Sequence, residues 1–227
     1  MPEDHELTAS MMGYLAKVYR LYGRLSPNED YVPTSDLAEL LEVSAPAVNR
    51  MVTRLKELGF LEHERYKGVR LTEQGVLAAL LQLRRQRIAE SFLVSVMGFG
   101  WHQVHDEAER IAAASSEAMV ERMAHMAGNP TRCPHGEPIP AADGTLPKLT
   151  DEALTQAALE RDYRITRVRT WEADRLEYMA ALGLLPGKEI HLLHKAPFDG
   201  PIQLKLGHEY RIIGHNLAEV IYVEPVN

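Results

Sequence analysis

The feature that most constrains this sequence is the segment from residue 8 to residue 73, where three short helical patterns precede two short strand patterns. Apolar residues recur at three- and four-residue spacing in each helical pattern, which is typical of helices with one buried face. Ser44 precedes the third pattern as an N-cap, and Pro46 lies in its first turn, where a missing N–H is tolerated. Two strands around a turn at Lys67–Gly68 follow. This order predicts a winged helix-turn-helix.

Residues 74–126 predict two longer helices, separated by a glycine-containing break at residues 98–100. Their apolar stripes are Leu77, Leu81, Ile88, Phe92 and Val96 in the first helix, and Val104, Ala108, Ile111, Ser115, Met119 and Met123 in the second. Stripes of this kind normally form a core, but their length exceeds what a small domain covers. We therefore expect a helical domain that pairs with a second copy of the chain.

The remainder divides into a loop and a small β-rich unit. Residues 127–150 contain five of the thirteen prolines, which predicts an ordered loop or a linker. Short alternating segments with one helix follow and predict an SH3-like barrel. The expected domains are 1–73, 74–140, a linker at 141–160, and 161–227. The expected fold class is mainly α with small β units: winged helix-turn-helix, helical dimerisation domain and C-terminal SH3-like barrel.

Composition excludes several classes of protein. The chain has 45% hydrophobic and 25% charged residues, which are ordinary globular values. Its single cysteine, Cys133, excludes an internal disulfide and suggests a reducing compartment. No apolar run approaches the ~20 residues that cross a bilayer, and the first six residues are acidic, unlike a secretory leader. We expect a soluble, cytoplasmic protein without a membrane partner.

A local basic patch stands out in an acidic chain. Residues 43–70 carry a net charge of +3, although the whole chain has a formal charge of −7. Lys and Arg neutralise DNA phosphates, while acidic surfaces elsewhere suppress wrong docking. Predicted base contacts on the third helix are Ser44, Pro46, Ala47, Asn49 and Arg50, and predicted phosphate contacts are Arg54 and Lys67. Surface charge is usually only solvated, but its position on this helix favours DNA.

Several motifs resemble the diphtheria-toxin-repressor family of iron- or manganese-dependent transcriptional repressors. They are Tyr31–Val52, Leu58-Gly-Phe-Leu61, Leu71-Thr-Glu-Gln-Gly75, Arg84–Glu90, Val104–Glu109, Cys133-Pro-His-Gly-Glu-Pro-Ile-Pro140 and Leu182-Gly-Leu-Leu-Pro-Gly187. The resemblance therefore covers nearly the whole chain, and the Cys-Pro-His-Gly motif is its most specific part. It implies a homodimer that binds double-stranded operator DNA, two metal sites in the dimerisation domain and a C-terminal SH3-like domain.

One metal site implied by the resemblance uses Glu90, Cys133 and His135, closed by a carboxylate from Glu172 or Asp174. A Cys-x-His spacing lets an extended loop direct a thiolate and an imidazole at one ion, and His105 is a further candidate donor. Carboxylates suit Mn²⁺, while the thiolate also tolerates Fe²⁺ or Zn²⁺. The expected cofactor is Mn²⁺ or Fe²⁺, with Zn²⁺ also compatible.

The second implied site, the family's primary regulatory site, lacks most of its donors here. The corresponding positions hold Gly13, Gln86, Glu109, Ala112 and Ala113. Only Glu109 is an ordinary ligand, and one carboxylate does not hold a divalent ion in water. This site is predicted to be empty.

The leading hypothesis is a dimeric, metal-responsive transcriptional regulator of manganese or iron homeostasis. Its two recognition helices would meet half-sites about 34 Å apart, or a multiple of that spacing. One alternative is a family member that binds DNA without metal control, and another is a metal-binding protein with a vestigial DNA domain. A hydrolase using Cys133 and His135 is disfavoured by their spacing and by the intervening proline. The chain is not expected to be an enzyme.

Overall fold

The N-terminal part of the chain folds as a winged helix-turn-helix. The computed structural model describes residues 7–23, 25 and 29–226, so the acidic first six residues lie outside the described part. The elements here are α1 (Ala9–Tyr22), α2 (Thr34–Leu41), α3 (Ala45–Glu57), β1 (Leu61–Glu64) and β2 (Gly68–Leu71). Their buried stripes meet in one core that contains Leu15, Val18, Leu37, Val48, Val52, Leu55, Leu61 and Val69. The predicted arrangement of helices and hairpin is confirmed.

The turn of the hairpin begins earlier than the predicted turn at Lys67–Gly68. Residues 65–67 form the turn, and Gly68 begins β2 opposite Glu64. Gly68 has a φ of +125°, and a Cβ there would lie 2.1 Å from the carbonyl oxygen of Val32. The glycine is therefore needed for the close approach of Val32, which bridges to Val69, and not for the turn itself.

The helical region contains three helices instead of the predicted two. They are α4 (Glu73–Ser95), α5 (Val104–Ala114) and α6 (Glu117–Met126). The expected second helix is interrupted at residues 115–116. The Arg85 guanidinium donates to the carbonyls of Ala112 and Ser115, which would otherwise accept bonds from the next turn of a continuous helix. A long-range contact invisible in the sequence thus ends α5.

The C-terminal part is a six-stranded antiparallel sheet with one helix packed against its core. The strands are β3 (Glu152–Ala153), β4 (Arg161–Val168), β5 (Glu189–Lys195), β6 (Ile202–Leu206), β7 (Glu209–Ile213) and β8 (Ile221–Pro225), in the order β3-β8-β4-β5-β6-β7. The helices are α7 (Ala173–Ala181) and the short α8 (His215–Ala218). Residues 152–153, assigned to a linker from the sequence, instead form β3 and pair with β8. The SH3-like unit is confirmed, with an earlier beginning.

The chain divides into two compact units, each of which is made of several segments. The first comprises Met1–Gln86, Glu109–Ser116 and Pro140–Thr145, and the second comprises Arg87–Ala108, Glu117–Ile139 and Leu146–Asn227. The helical domain expected at 74–140 is therefore shared between the two units. Among the described residues, no helix combines the length and the apolar run needed to cross a bilayer.

Candidate metal centre and DNA-binding surface

The proline-rich loop after α6 contains a tight turn that holds Cys133 and His135. The amide of Gly136 donates to the carbonyl of Cys133 (2.8 Å), and the amide of Cys133 donates to the carbonyl of Glu137 (2.9 Å). Gly136 has a φ of +81°, and a Cβ there would lie 2.1 Å from the carbonyl oxygen of Thr166. Glycine alone satisfies both conditions. The turn therefore holds the side chains of Cys133 and His135, which are two residues apart in the sequence, close together and buried.

Glu90, in α4, completes a cluster of three donors with this turn. Its Oε2 lies 3.5 Å from Nδ1 of His135, and that nitrogen lies 3.9 Å from Sγ of Cys133. One ligand atom from each of the three residues lies within 4.8 Å of the others, and all three residues are buried. Within the described part of the chain, this is the one group of three or more His, Cys, Asp or Glu donors with such spacing. We call it the Glu90 cluster.

Neighbouring groups orient the two imidazoles at the cluster. Nε2 of His135 lies 2.8 Å from the carbonyl oxygen of Trp101, and the Trp101 ring stacks on the imidazole with centroids 5.5 Å apart. Because a carbonyl only accepts, Nε2 must donate, and the neutral ring then has its lone pair on Nδ1, which faces the cluster. His105, in α5, lies with Nδ1 3.4 Å from Oε1 of Glu90 and stacks on Trp171. His105 thus contacts Glu90 without belonging to the three-donor group.

The pKa values show how the Glu90 cluster balances its charge. Burial alone would raise the pKa of Glu90, but hydrogen bonds from His105 and His135 hold it well below the ordinary value. Burial alone would lower the pKa of His135, but Cys133 and Glu90 raise it well above the ordinary value. Burial, with the charge of Glu90, raises the pKa of the Cys133 thiol. A buried carboxylate is therefore balanced here by imidazolium, and metal binding would release these protons.

A partly buried network of charged residues fixes the turn to α4 and β4. The Glu137 carboxylate accepts from Arg87 of α4 (3.1 Å) and from Arg167 of β4 (3.0 Å). Arg167 also donates twice to Asp151, at 2.8 and 3.0 Å. Both arginines are 7% exposed, whereas Glu137 and Asp151 are partly buried. The family motifs contain Arg87 and Glu137, but no sequence pattern indicated that these two residues would pair, because a glutamate in a proline-rich loop normally faces solvent. The network fixes the loop two residues from His135.

The structure does not bring the predicted fourth carboxylate into the cluster. Glu172 immediately precedes α7, and its carboxylate pairs with Arg175 at 2.9 Å. Asp174 lies exposed in the first turn of the same helix. Neither belongs to the group formed by Glu90, Cys133 and His135.

The positions of the other implied metal site hold an ion pair instead. Nζ of Lys17, in α1, lies 3.0 Å from Oε1 of Glu109, in α5. A Cβ added at Gly13 would lie 3.9 Å from the same Glu109 oxygen. Helices α1 and α5 therefore bring Gly13 and Glu109 close together, as the resemblance implies. The Glu109 carboxylate, however, is already neutralised by the ammonium of Lys17.

The remaining positions of that site also lack free donors. Gln86 is 3% exposed, and its Oε1 accepts from the Arg20 guanidinium at 2.9 Å. Ala112 is buried and Ala113 is exposed, and neither side chain carries a donor atom. The residues present do not fit a divalent ion.

The predicted DNA-binding helix presents its polar residues to solvent. Val48, Val52 and Leu55 of α3 are buried and Met51 is half-buried, as expected for the apolar face of a helix. Of the predicted DNA contacts, Ser44, Pro46, Asn49, Arg50 and Lys67 are exposed, and Ala47 and Arg54 are half-buried. Arg54 pairs with Glu57 at 3.7 Å and Lys67 pairs with Glu64 at 2.7 Å, so both are partly neutralised on the surface.

The wing contains two surface residues that the sequence prediction omitted. Tyr66, at the tip, is 90% exposed, and the Arg65 guanidinium lies 4.7 Å from its ring centroid. A bulky side chain at a hairpin tip with φ of +71° is unusual for an ordinary turn. An aromatic residue inside a basic hairpin was the signal available in the sequence.

Comparison with known proteins covers almost the entire chain. Three family models match: "Iron dependent repressor, N-terminal DNA binding domain" at residues 6–69, "Iron dependent repressor, metal binding and dimerisation domain" at 72–141, and "FeoA domain" at 153–225. The iron-dependent repressor IdeR of Mycobacterium tuberculosis is 28% identical over 98% of this chain and 100% of its own length. The diphtheria toxin repressor of Corynebacterium diphtheriae is 26% identical over 93% and 95%, respectively.

The decisive similarity is to a solved structure. A manganese-dependent transcriptional repressor in complex with manganese is 31% identical, has a TM-score of 0.87, and is matched over 95% of this chain and 100% of its own. The chain belongs to the diphtheria-toxin-repressor family. As a member of that family, it is a metal-responsive, DNA-binding transcriptional regulator with a dimerisation domain.

Proposed function

We propose that this regulator senses Mn²⁺ or Fe²⁺ through the Glu90 cluster, with Glu90, Cys133 and His135 as ligands and His105 as the neighbouring donor. The observation that supports this most strongly is the convergence of three buried donors from a helix and a loop within 4.8 Å. The carboxylate and thiolate would lower the cost of burying a dication, and the imidazole Nδ1 is directed at them. When bound, the ion would supply positive charge that attracts Glu90 of α4 and the two donors of the loop, Cys133 and His135, and would so join the two elements.

The chain's own residues would transmit occupancy of the cluster. Glu137 fixes the loop to Arg87 in α4 and to Arg167 in β4. A metal ion that draws Cys133 and His135 towards Glu90 would therefore act on a loop that is already joined to β4 of the barrel. Because the ligands come from different elements, the free energy of metal binding is also free energy of tertiary structure.

The DNA contact is assigned to the exposed face of α3 and to the wing. Arg50 is exposed and suits bidentate hydrogen bonding to guanine, and Asn49 beside it suits adenine. Arg54 and Lys67 would exchange their glutamate partners for phosphates on binding. Tyr66 and Arg65, at the wing tip, extend this surface.

A second copy of the chain is the proposed partner of the helical region. Large apolar side chains of the second compact unit remain exposed in the single chain: Val96, Met97, Phe99, Met119 and Met126. Exposed large apolar side chains that lie together normally mark an interaction surface. A homodimer would cover it and would set the distance between two α3 helices.

The test is DNA binding by variants of the recognition surface. A duplex recovered from a random pool in the presence of Mn²⁺ serves as the cognate probe, and a scrambled duplex serves as the control. Arg50→Ala should weaken cognate binding by about 1–3 kcal/mol and relax the preference at one position. Lys67→Ala should weaken both duplexes similarly and flatten the salt slope by about one unit.

Two results would contradict the proposed function. Arg50→Ala binding both duplexes with the strength of the parent would remove α3 from the interface. Replacing Mn²⁺ with a chelator should weaken cognate binding by the parent, and this response should disappear in Cys133→Ala. A response that persists in Cys133→Ala would place metal sensing elsewhere.

A further inference from the structure

Three helices that the family resemblance associates with a metal ion are joined here by the chain's own cations. The helices are α1, α4 and α5, and every contact described below lies within one compact unit. The matched family models assign α1 to the DNA-binding domain and α4 and α5 to the metal-binding and dimerisation domain. Contacts among these helices therefore connect the two functional parts of the regulator.

The first contact joins α1 to α5. The Lys17 ammonium lies 3.0 Å from the Glu109 carboxylate, and the two side chains are 23% and 34% exposed. Partial burial weakens solvent screening, so the pair is stronger than a fully exposed one. The neighbouring Tyr14, Leu15 and Val18 of α1 lie in the core that also contains the stripe of α3. The ion pair thus holds a helix that supports the recognition helix.

Two further contacts complete the set. The Arg20 guanidinium of α1 donates to Oε1 of Gln86 in α4 at 2.9 Å. Arg85 of α4 donates to the carbonyls of Ala112 and Ser115 at the end of α5. Each pair among the three helices is therefore joined by one cationic side chain. The two functional groups that remain from the implied metal site, Glu109 and Gln86, are both bound to cations of α1.

We propose that Lys17 and Arg20 take the structural place of a metal ion, so that α1 stays joined to α4 and α5 without metal. The inference goes beyond the proposed function, because it holds whether or not the Glu90 cluster binds an ion. It follows that the link between the DNA-binding helices and the dimerisation helices is permanent. Regulation by metal then rests on the Glu90 cluster alone.

The experiment measures amide hydrogen exchange across α1 in a protein that lacks the Glu90 cluster. The background is the full chain with Cys133→Ala and His135→Ala, examined with excess Mn²⁺ and with a chelator. We expect α1 protection to be the same in both conditions. Lys17→Met and Glu109→Gln should each reduce α1 protection about fivefold, as expected for a partly buried ion pair. Combining them should reduce it no further, because the same contact is lost.

The charge-reversed pair, Lys17→Glu with Glu109→Lys, should restore protection to within about twofold of the background. Arg164→Met is the matched control, since it breaks an exposed ion pair with Glu189 in the barrel and should leave α1 unchanged. The near-isosteric Glu109→Gln keeps the test valid if Lys17→Met destabilises the fold. Slower α1 exchange with Mn²⁺ in the background, or additive losses in the double variant, would overturn the proposal. None of these readouts needs DNA, so a failure of this proposal can be distinguished from a failure of the proposed function, which is tested by DNA binding.

Discussion

At the Glu90 cluster a buried carboxylate lies beside the imidazole of His135 and the thiol of Cys133, whereas at Glu109 the carboxylate is held by the ammonium of Lys17. Both places correspond to metal sites implied by the family resemblance. An imidazole that loses its proton becomes a ligand, so the first arrangement is ready to exchange protons for a dication. A lysine ammonium is not a ligand in this state and competes with a metal for the same carboxylate. The same chain thus contains one buried cluster of donor atoms and one carboxylate that is already paired with a cation.

The comparison shows that a carboxylate in the expected place does not identify a metal site. What distinguishes Glu90 from Glu109 is the set of groups around each one. Glu90 is 3% exposed and meets a thiol and an imidazole on a fixed turn, while Glu109 is about one third exposed and meets a single cation.

The largest expected effect is the loss of Mn²⁺ affinity when the Glu90 carboxylate is replaced by an amide. Glu90→Gln removes the anionic ligand of the cluster, and we expect Mn²⁺ affinity to fall at least about a hundredfold, equivalent to ~2.7 kcal/mol. Glu109→Gln is the matched control and should leave metal affinity unchanged within about twofold. Titration calorimetry measures both. Equal losses in the two variants would erase the difference between the sites.

An effect of similar size, on folding stability instead of metal affinity, is expected from the turn glycine. Gly136→Ala places a methyl group against the carbonyl of Thr166 and also strains the backbone, so it should cost about 3 kcal/mol in unfolding free energy. Gly128→Ala is the control, because its φ is the same, +81°, and no atom lies within 4 Å of the added methyl. Chemical denaturation measures both variants. Similar losses would mean that backbone strain, and not the close approach of the turn to β4, makes glycine necessary.

The charge network behind the turn should contribute less than the ligands. Glu137→Gln keeps the shape but weakens both arginine contacts, and we expect a ten- to hundredfold loss of Mn²⁺ affinity, as for other residues that orient ligands. Glu189→Gln weakens an exposed ion pair with Arg164 and serves as the control. The measurement is again metal affinity by calorimetry. An unchanged affinity for Glu137→Gln would show that the turn holds its geometry unaided.

The fold was largely predictable because local patterns and tertiary packing agree. The spacing of apolar residues indicated that α3 has a buried face, which contains Val48, Val52 and Leu55. The short alternating segments after the loop indicated strands such as β4. The break after α5 was not predictable, since Arg85 supplies the contacts that end that helix from thirty residues away.

The site was predictable only in part. Family motifs indicated Glu90, Cys133 and His135, and the structure brings them together. They did not indicate that Glu137 would pair with two buried arginines, or that Lys17 would neutralise Glu109. Both features depend on side chains from distant segments, and neither leaves a local pattern in the sequence.

The most direct test of the account is the number of tight Mn²⁺ ions per subunit, measured by titration calorimetry on chelator-treated protein. The parent should bind one tight ion, His125→Ala should bind one because His125 is an exposed residue of α6, and Cys133→Ala with His135→Ala should bind none. Two tight ions in the parent would contradict the claim that Lys17 and Arg20 occupy the other site. One unchanged tight ion in the double variant would contradict the assignment of the Glu90 cluster.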